Sequence, residues 1–271
     1  MNCFVTKGTI HYEIIGSGFP LMFLHSMGTD YRSMKTWIEP IFTTVSGFQR
    51  IYIDLPAHGR SEINEEFYSS DDMLENILDF IDQIIPNQEL SLIGHSYGGY
   101  MAQAILYHRQ NQVKSICLLA PALHLKDRNL PKRVVLKKDD DVSSNLADDT
   151  RVAFETLFTL QTKENLDYFL NEIQPGRLLA NRTFLQSNWR ESGYFLSEEP
   201  FLDVNSLCQP ALIILGKQDS ICGYKDHLDL LDKLPYSTFT ILDHAGHMLH
   251  IEKREITKKL LEDWLIRTKI S

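Results

Sequence analysis

Cysteines are few in this sequence, and none is spaced for chemistry. Cys3, Cys117, Cys208 and Cys222 form no C-x-x-C pair and no dense disulfide framework, so free thiols in a reducing cytoplasm are expected. Met1 to Lys7 lacks the charged start, apolar stretch and cleavage site of a secretory signal. No apolar run approaches the length that a membrane span requires. Clustered basic residues are missing too. The net charge is -9, and lysines and arginines are scattered or mixed with acids, which argues against a nucleic-acid surface. The histidines show no H-E-x-x-H or other metal-ligand spacing, so no metal is expected. Gly98-Gly99 belongs to no G-x-G-x-x-G and precedes no Walker lysine, which removes the common phosphate loops. These absences leave a cytoplasmic protein acting on a small-molecule substrate, with no cofactor, no nucleic-acid partner and no membrane attachment. They say nothing of oligomeric state.

With 271 residues, 43% hydrophobic and 23% charged, the chain can bury one substantial core. Phe4 to Thr6 and Thr9 to Ile15 alternate on either side of Gly8 and predict a hairpin of half-exposed strands, closed by Gly16-Ser17-Gly18. Short, nearly continuous apolar runs follow at Leu21 to Leu24, Arg50 to Ile53, Leu90 to Ile93, Val113 to Leu119, Ala211 to Leu215 and Thr238 to Leu242. Such runs suit strands buried on both faces of a parallel sheet. Helical patterns lie between them at Ser33 to Val45, Ser69 to Ile85, Tyr97 to His108, Tyr224 to Leu234 and Glu252 to Thr268. Leu74, Ile77, Leu78, Ile81 and Ile85 fall on one helical face. The alternation predicts an α/β fold, a mostly parallel, doubly wound sheet with right-handed crossovers. From about Ala122 to Cys208 the strand signal disappears, and Val152 to Leu160 and Asn165 to Ile173 read as helices. The expected division is a core of residues 1–121 and 209–271 with a helical cap at 122–208, rather than a second independent domain.

The chemistry begins at Leu90-Ser91-Leu92-Ile93-Gly94-His95-Ser96-Tyr97-Gly98-Gly99, where a buried-type strand runs directly into G-x-S-x-G and a helix runs directly out. That context is what a nucleophile elbow requires. Small residues at 94 and 98 let the chain turn sharply, and the turn lifts the Ser96 hydroxyl above the strand ends, where open parallel sheets bind ligands. A serine hydroxyl needs a base, and the base needs a partner that fixes its tautomer. Asp219 follows the strand at Ala211 to Leu215 through a short polar turn, and His247 follows the strand at Thr238 to Leu242 just before the last helix. Ser96, Asp219 and His247 therefore stand in nucleophile, acid, base order. Asp127, after the sixth strand, is the rival acid. His244 and His250 are the rival bases, and both are expected to be structural. His25 and His58 are expected to brace loops, and His95 to support the site from behind.

These segments together, in this order, resemble the α/β-hydrolase superfamily over nearly the whole chain. The resemblance rests on FLHSMGTD (Phe23 to Asp30), DLPAHGRS (Asp54 to Ser61), the elbow, GKQDS (Gly216 to Ser220) and HAGHMLHIEK (His244 to Lys253). It implies the α/β-hydrolase fold with a helical cap insertion. It also implies an oxyanion hole, assigned to the backbone N–H groups of Tyr97 and Met27. Ser26 follows His25 where the commoner pattern has glycine, and HSMGTD is similar to a stretch of 3-oxoadipate enol-lactonase-like members. The implied activity is that of a cofactor-independent serine hydrolase of the carboxylesterase class (EC 3.1.1), cleaving a small or medium carboxylic ester through an acyl-serine intermediate. Enol-lactonase, thioesterase and carbon-carbon bond hydrolase remain open with the same triad. From a different class, so does a ligand receptor that retains the hydrolase site. Phe154, Phe158, Phe169, Phe184, Trp189 and Phe195 either line an apolar acyl pocket or form the insertion's own core. Arg190 is either a substrate-carboxylate contact or a surface ion pair.

Overall fold

Alternation in the first strands and continuous burial in the later ones decide how the sheet is assembled. The computed structural model describes residues 1–270. The strands are β1 (Asn2–Val5), β2 (Gly8–Ile15), β3 (Phe19–Leu24), β4 (Phe48–Ile53), β5 (Leu90–His95), β6 (Val113–Leu119), β7 (Ala211–Gly216) and β8 (Ser237–Leu242). They run side by side in the order β1-β2-β4-β3-β5-β6-β7-β8, with a two-residue strand, Glu62–Ile63, pairing with β2. The hairpin of β1 and β2 is antiparallel, as is the pairing of β2 with β4. Every other pairing along the main path is parallel. β5 and β7 are buried at every residue, so their continuous apolar runs face helices on both sides.

The strand period of two sorts residues between the layers. Met22 and Leu24 of β3 join a core formed with α2 (Ser70–Ile84) and α3 (Tyr97–His108). Leu21 and Phe23 point the other way, into a core shared with α1 (Arg32–Ile38) and α11 (Arg254–Ile270). α2 begins at a reciprocal cap, in which Asp72 N–H donates to Ser69 Oγ and Ser69 N–H donates to Asp72 Oδ2. Its apolar stripe buries Met73, Ile77, Phe80 and Ile81 completely. Truncating a side chain such as Phe80 to alanine would cost about 3–5 kcal/mol.

Helical periodicity overstated several elements. The pattern at Ser33 to Val45 is α1 followed by a 3₁₀ turn, Glu39–Thr43, because Pro40 has no N–H to continue the α ladder. Tyr224 to Leu234 reduces to a 3₁₀ turn, Lys225–Asp229, and one short helix, α9 (Leu230–Lys233). His227, Leu230 and Leu234 are buried there while Leu228 and Leu231 are exposed, too little face to hold a longer helix. The final pattern, Glu252 to Thr268, is α11, and a separate short helix, α10 (Leu249–Glu252), precedes it because Lys253 leaves the helical region at φ -131°.

Between β6 and β7 the chain forms α4 (Asp148–Leu157), α5 (Lys163–Tyr168), α6 (Gln174–Leu179), α7 (Arg182–Leu185) and α8 (Trp189–Ser192). A π-turn, Phe169–Ile173, joins α5 to α6. The insert is not wholly helical, since Lys137–Lys138 pairs in parallel with Leu160–Gln161. Phe154, Phe158 and Phe169 pack on one another and on Met248 and Ile251, which anchors the insert to the segment after β8.

Candidate active site

The turn between β5 and α3 is possible only because its neighbours lack side chains. A Cβ on Gly94 would sit 2.4 Å from the Gly98 carbonyl oxygen, and one on Gly98 would sit 2.2 Å from that of Leu24. Ser96 itself takes φ 53° and ψ -117°, a conformation that L-residues rarely adopt. The strain is held by its own hydrogen bonds: Ser96 N–H donates to Leu119 O at 2.9 Å, and Ala122 N–H donates to Ser96 O at 2.9 Å.

The structure brings together the three residues singled out in the sequence. Ser96 Oγ lies 2.9 Å from His247 Nε2, and His247 Nδ1 lies 2.9 Å from Asp219 Oδ2. The second oxygen of Asp219 accepts from the N–H groups of Ile221 at 2.8 Å and Cys222 at 3.0 Å. These bonds fix the direction of each proton, with Nδ1–H donating to the carboxylate and Nε2 left as the acceptor of the serine hydroxyl. Burial opposes charge on His247, and the Asp219 carboxylate outweighs it, holding the imidazole well above its ordinary value of 6.5. Burial likewise opposes charge on Asp219, yet His247 and the two backbone donors keep it below the usual carboxylate range.

His247 is fastened from several directions. His95 Nε2–H donates to its carbonyl at 3.1 Å, and burial pushes His95 down to about 3, so that ring is a neutral prop. Gly246 N–H donates to Glu252 Oε2 at 2.6 Å. The other oxygen of Glu252 accepts from Thr159 and Leu160 N–H, both at 2.7 Å. One buried carboxylate therefore joins the histidine loop to the insert. Burial raises it to about 7 in spite of these donors. The loops after β7 and β8 are also cross-tied, with Gln218 N–H donating to Ala245 O at 2.9 Å and Ala245 N–H donating to Gln218 Oε1 at 3.0 Å.

The rival residues sit elsewhere. Asp127 is exposed, and His244 is exposed beside Asp243 at 3.2 Å. His250 is fully buried against His95 and Trp37. His25 braces two loops, accepting from Leu55 N–H at 2.9 Å and donating to Ser26 O at 2.8 Å. His58 holds its own turn through Pro56 O at 2.9 Å.

Ser96 opens into a cavity of about 680 Å³. Met27 and Tyr97 both line it beside the serine. Tyr97 is the first residue of α3, whose leading N–H groups have no intrahelical acceptor. Its hydroxyl is tied down through a 2.7 Å bond to Ser70 Oγ. Met27 lies in a turn closed by Thr29 Oγ1, which donates to Ser26 O at 2.8 Å. Of the six insert aromatics weighed in the sequence, Phe195 alone lines the cavity, where Tyr194 joins it. Phe154, Phe158 and Phe169 form the insert's own core, while Phe184 and Trp189 pack into the main one.

Three features were not read from the sequence: Glu252, Cys222 and a set of basic side chains, Lys126, Arg128 and Arg177, lining the cavity with Arg190. Cys222 is buried at 4% exposure in the cavity wall. Its thiol and the ligand atoms of Asp219 and His247 all lie within 4.8 Å of one another. It is the one set among the described residues close enough to share a metal ion, although Asp219 and His247 are already engaged with each other. For Cys222 and Glu252 the only signal was proximity in sequence to Asp219 and His247, and the basic side chains had none.

A family model for the alpha/beta hydrolase fold matches residues 20–254. A monoacylglycerol lipase, abhd6-B of Xenopus laevis, is 24% identical over 243 residues, covering 84% of this chain and 71% of its own. A 2-hydroxy-6-oxo-6-(2'-aminophenyl)hexa-2,4-dienoic acid hydrolase of Metapseudomonas resinovorans is 21% identical over 257 residues, covering 93% of this chain and 86% of its own. Among solved structures, an alpha/beta superfamily hydrolase from Oenococcus oeni PSU-1 superposes with a TM-score of 0.87 at 28% identity, covering 99% of each chain. An esterase from Exiguobacterium antarcticum superposes at 0.72 with 21% identity, covering 98% of this chain and 99% of its own. Sheet order, strained serine turn and family match agree, and the chain belongs to the α/β-hydrolase fold family.

Proposed function

We propose that the protein is a serine hydrolase that cleaves a small or medium carboxylic ester through an acyl-Ser96 intermediate. The observation that carries this reading is the unbroken chain from Ser96 Oγ to His247 to Asp219, each link 2.9 Å, opening into a 680 Å³ cavity. His247 takes the serine proton as Oγ attacks the carbonyl, and Asp219 steadies the imidazolium that forms. The backbone N–H groups of Tyr97 and Met27 receive the oxyanion, a contribution of a few kcal/mol to the barrier. His247 then returns the proton to the leaving alcohol and activates water for the second half. Asp219 is favoured over Asp127 because Asp127 is exposed and Asp219 is bonded to the imidazole. The cavity volume falls in the range of small-ligand sites and has room for a medium acyl group.

Carbon-carbon bond hydrolysis is the second reading, favoured by the matched relative whose name describes a dienoic acid hydrolase. Turnover of nitrophenyl esters from acetate to dodecanoate, with Ser96→Ala alongside, separates the two. Ester turnover with a chain-length optimum that vanishes in the variant supports the esterase. Absent ester turnover, with Ser96-dependent cleavage of a dienone acid, supports the second.

A further inference from the structure

We infer that the substrate carries a carboxylate, and that Arg128 and Arg190 are the residues that select it. This inference rests on the hydrolase reading for its location and goes beyond it in naming the substrate's charge.

The chain as a whole is acidic, with a net charge of -9, yet the cavity above Ser96 is lined by Lys126, Arg128, Arg177 and Arg190. Its one acidic lining residue, Asp149, is already shared between Arg177 at 3.2 Å and Arg182 at 3.3 Å. Arginines elsewhere in the protein commonly find a carboxylate, as Arg50 does with Glu39, Arg109 with Asp82 and Arg254 with Glu172. Arg128 and Arg190 have none among the described residues. Arg128 Nη1 donates to Ile221 O at 2.7 Å, which holds the guanidinium at the cavity wall beside Cys222 and uses one of its five donors. Arg190 Nη2 rests 2.9 Å from Met27 Sδ, a weak acceptor, on the side where the oxyanion is proposed to sit. Lys126 Nζ lies over the Phe195 ring at 5.9 Å, again with no carboxylate.

Unpaired guanidinium groups are fork-shaped donors that bind carboxylates in two-point fashion. Gathered at a concave site in a protein of opposite net charge, they raise the local concentration of anions and repel cations. The apolar part of the wall, from Val152, Leu157, Ile173 and Met248, leaves room for a short hydrocarbon segment between the scissile carbonyl and the charge. The substrate class that fits is a monoester or lactone with a free carboxylate a few carbons from the carbonyl attacked by Ser96.

The test uses full-length protein and two esters with the same leaving group: monomethyl adipate, which is anionic, and methyl hexanoate, which is neutral. The readout is the ratio of their kcat/KM values within one enzyme, which cancels general damage. The expected ratio in wild type is about tenfold to a hundredfold in favour of the anionic ester, falling as NaCl is raised. In Arg128→Gln/Arg190→Gln the ratio should drop to about one. A wild-type ratio at or below one, or a ratio unaltered in the double variant, overturns the inference. Binding provides an arm that needs no turnover. Adipate should raise the melting temperature of Ser96→Ala and fail to do so when Arg128→Gln and Arg190→Gln are added. Equal shifts, or none in either protein, count against the carboxylate site. Neutral-ester turnover that survives Ser96→Ala counts instead against the serine hydrolase.

Discussion

Acid should unfold this protein through histidines that hold the site, and His58→Gln isolates the effect. His25, His58 and His95 are completely buried and neutral, with burial pushing them from 6.5 down to about 4, 3 and 3. Each has a folded pKa below its unfolded value, so its contribution to stability is present above 6.5 and is lost as pH falls toward the folded value. Every such group costs about 1.4 kcal/mol per pH unit across that window, which comes to about 2 kcal/mol per histidine at pH 5. The three together cost about 6 kcal/mol, and Glu252, raised from 4.5 to about 7, returns about 3 kcal/mol by taking up a proton in the folded state over the same range. Among these four groups the balance is a loss of about 3 kcal/mol, a large share of a typical domain's stability. His58→Gln removes one of the three protonations while leaving the triad in place. Urea unfolding followed by tryptophan fluorescence at pH 7, 6 and 5 should show the variant gaining about 2 kcal/mol on wild type between pH 7 and 5. A constant difference between the two proteins over that range would refute the reasoning.

Other consequences can be checked separately. Asp219→Asn should lower kcat by about a thousandfold or more and move the acid limb of the pH-rate profile downward, because the charge that raises His247 is gone. The wild-type limb should lie above 6.5, and Asp127→Asn should leave both rate and limb as they are. Glu252→Gln removes a carboxylate whose folded value, about 7, exceeds 4.5. Wild type should therefore lose about 3 kcal/mol relative to the variant as pH rises from 4.5 to 7, with no further change above that in chemical unfolding. N-ethylmaleimide should inactivate wild type by adding bulk at the cavity wall beside His247 and should spare Cys222→Ser. Loss of activity at equal rates in both proteins would place the sensitive thiol elsewhere.

What could be read from the sequence was local. The strands at Leu90 to Ile93 and Ala211 to Leu215 were legible because burial on both faces needs an unbroken apolar run. Gly94 and Gly98 marked the serine turn because any Cβ there meets a carbonyl oxygen. The short 3₁₀ segments were not legible, since the same periodicity fits a full helix until Pro40 or an exposed face ends it. Nor could sequence show that Glu252 would reach Thr159 and Gly246 at once, a contact spanning 93 positions in one direction and 6 in the other. The basic lining was hidden for the same reason. Lys126, Arg128 and Arg190 are scattered along the chain, and it is the folding of the insert over β5 and β6 that gathers them.

The most direct test of the central claim is nitrophenyl ester turnover by wild type and Ser96→Ala under identical conditions. Wild type should turn over with a chain-length optimum, and the variant should lose at least a thousandfold while keeping its melting temperature. Equal turnover by the two proteins would contradict that claim.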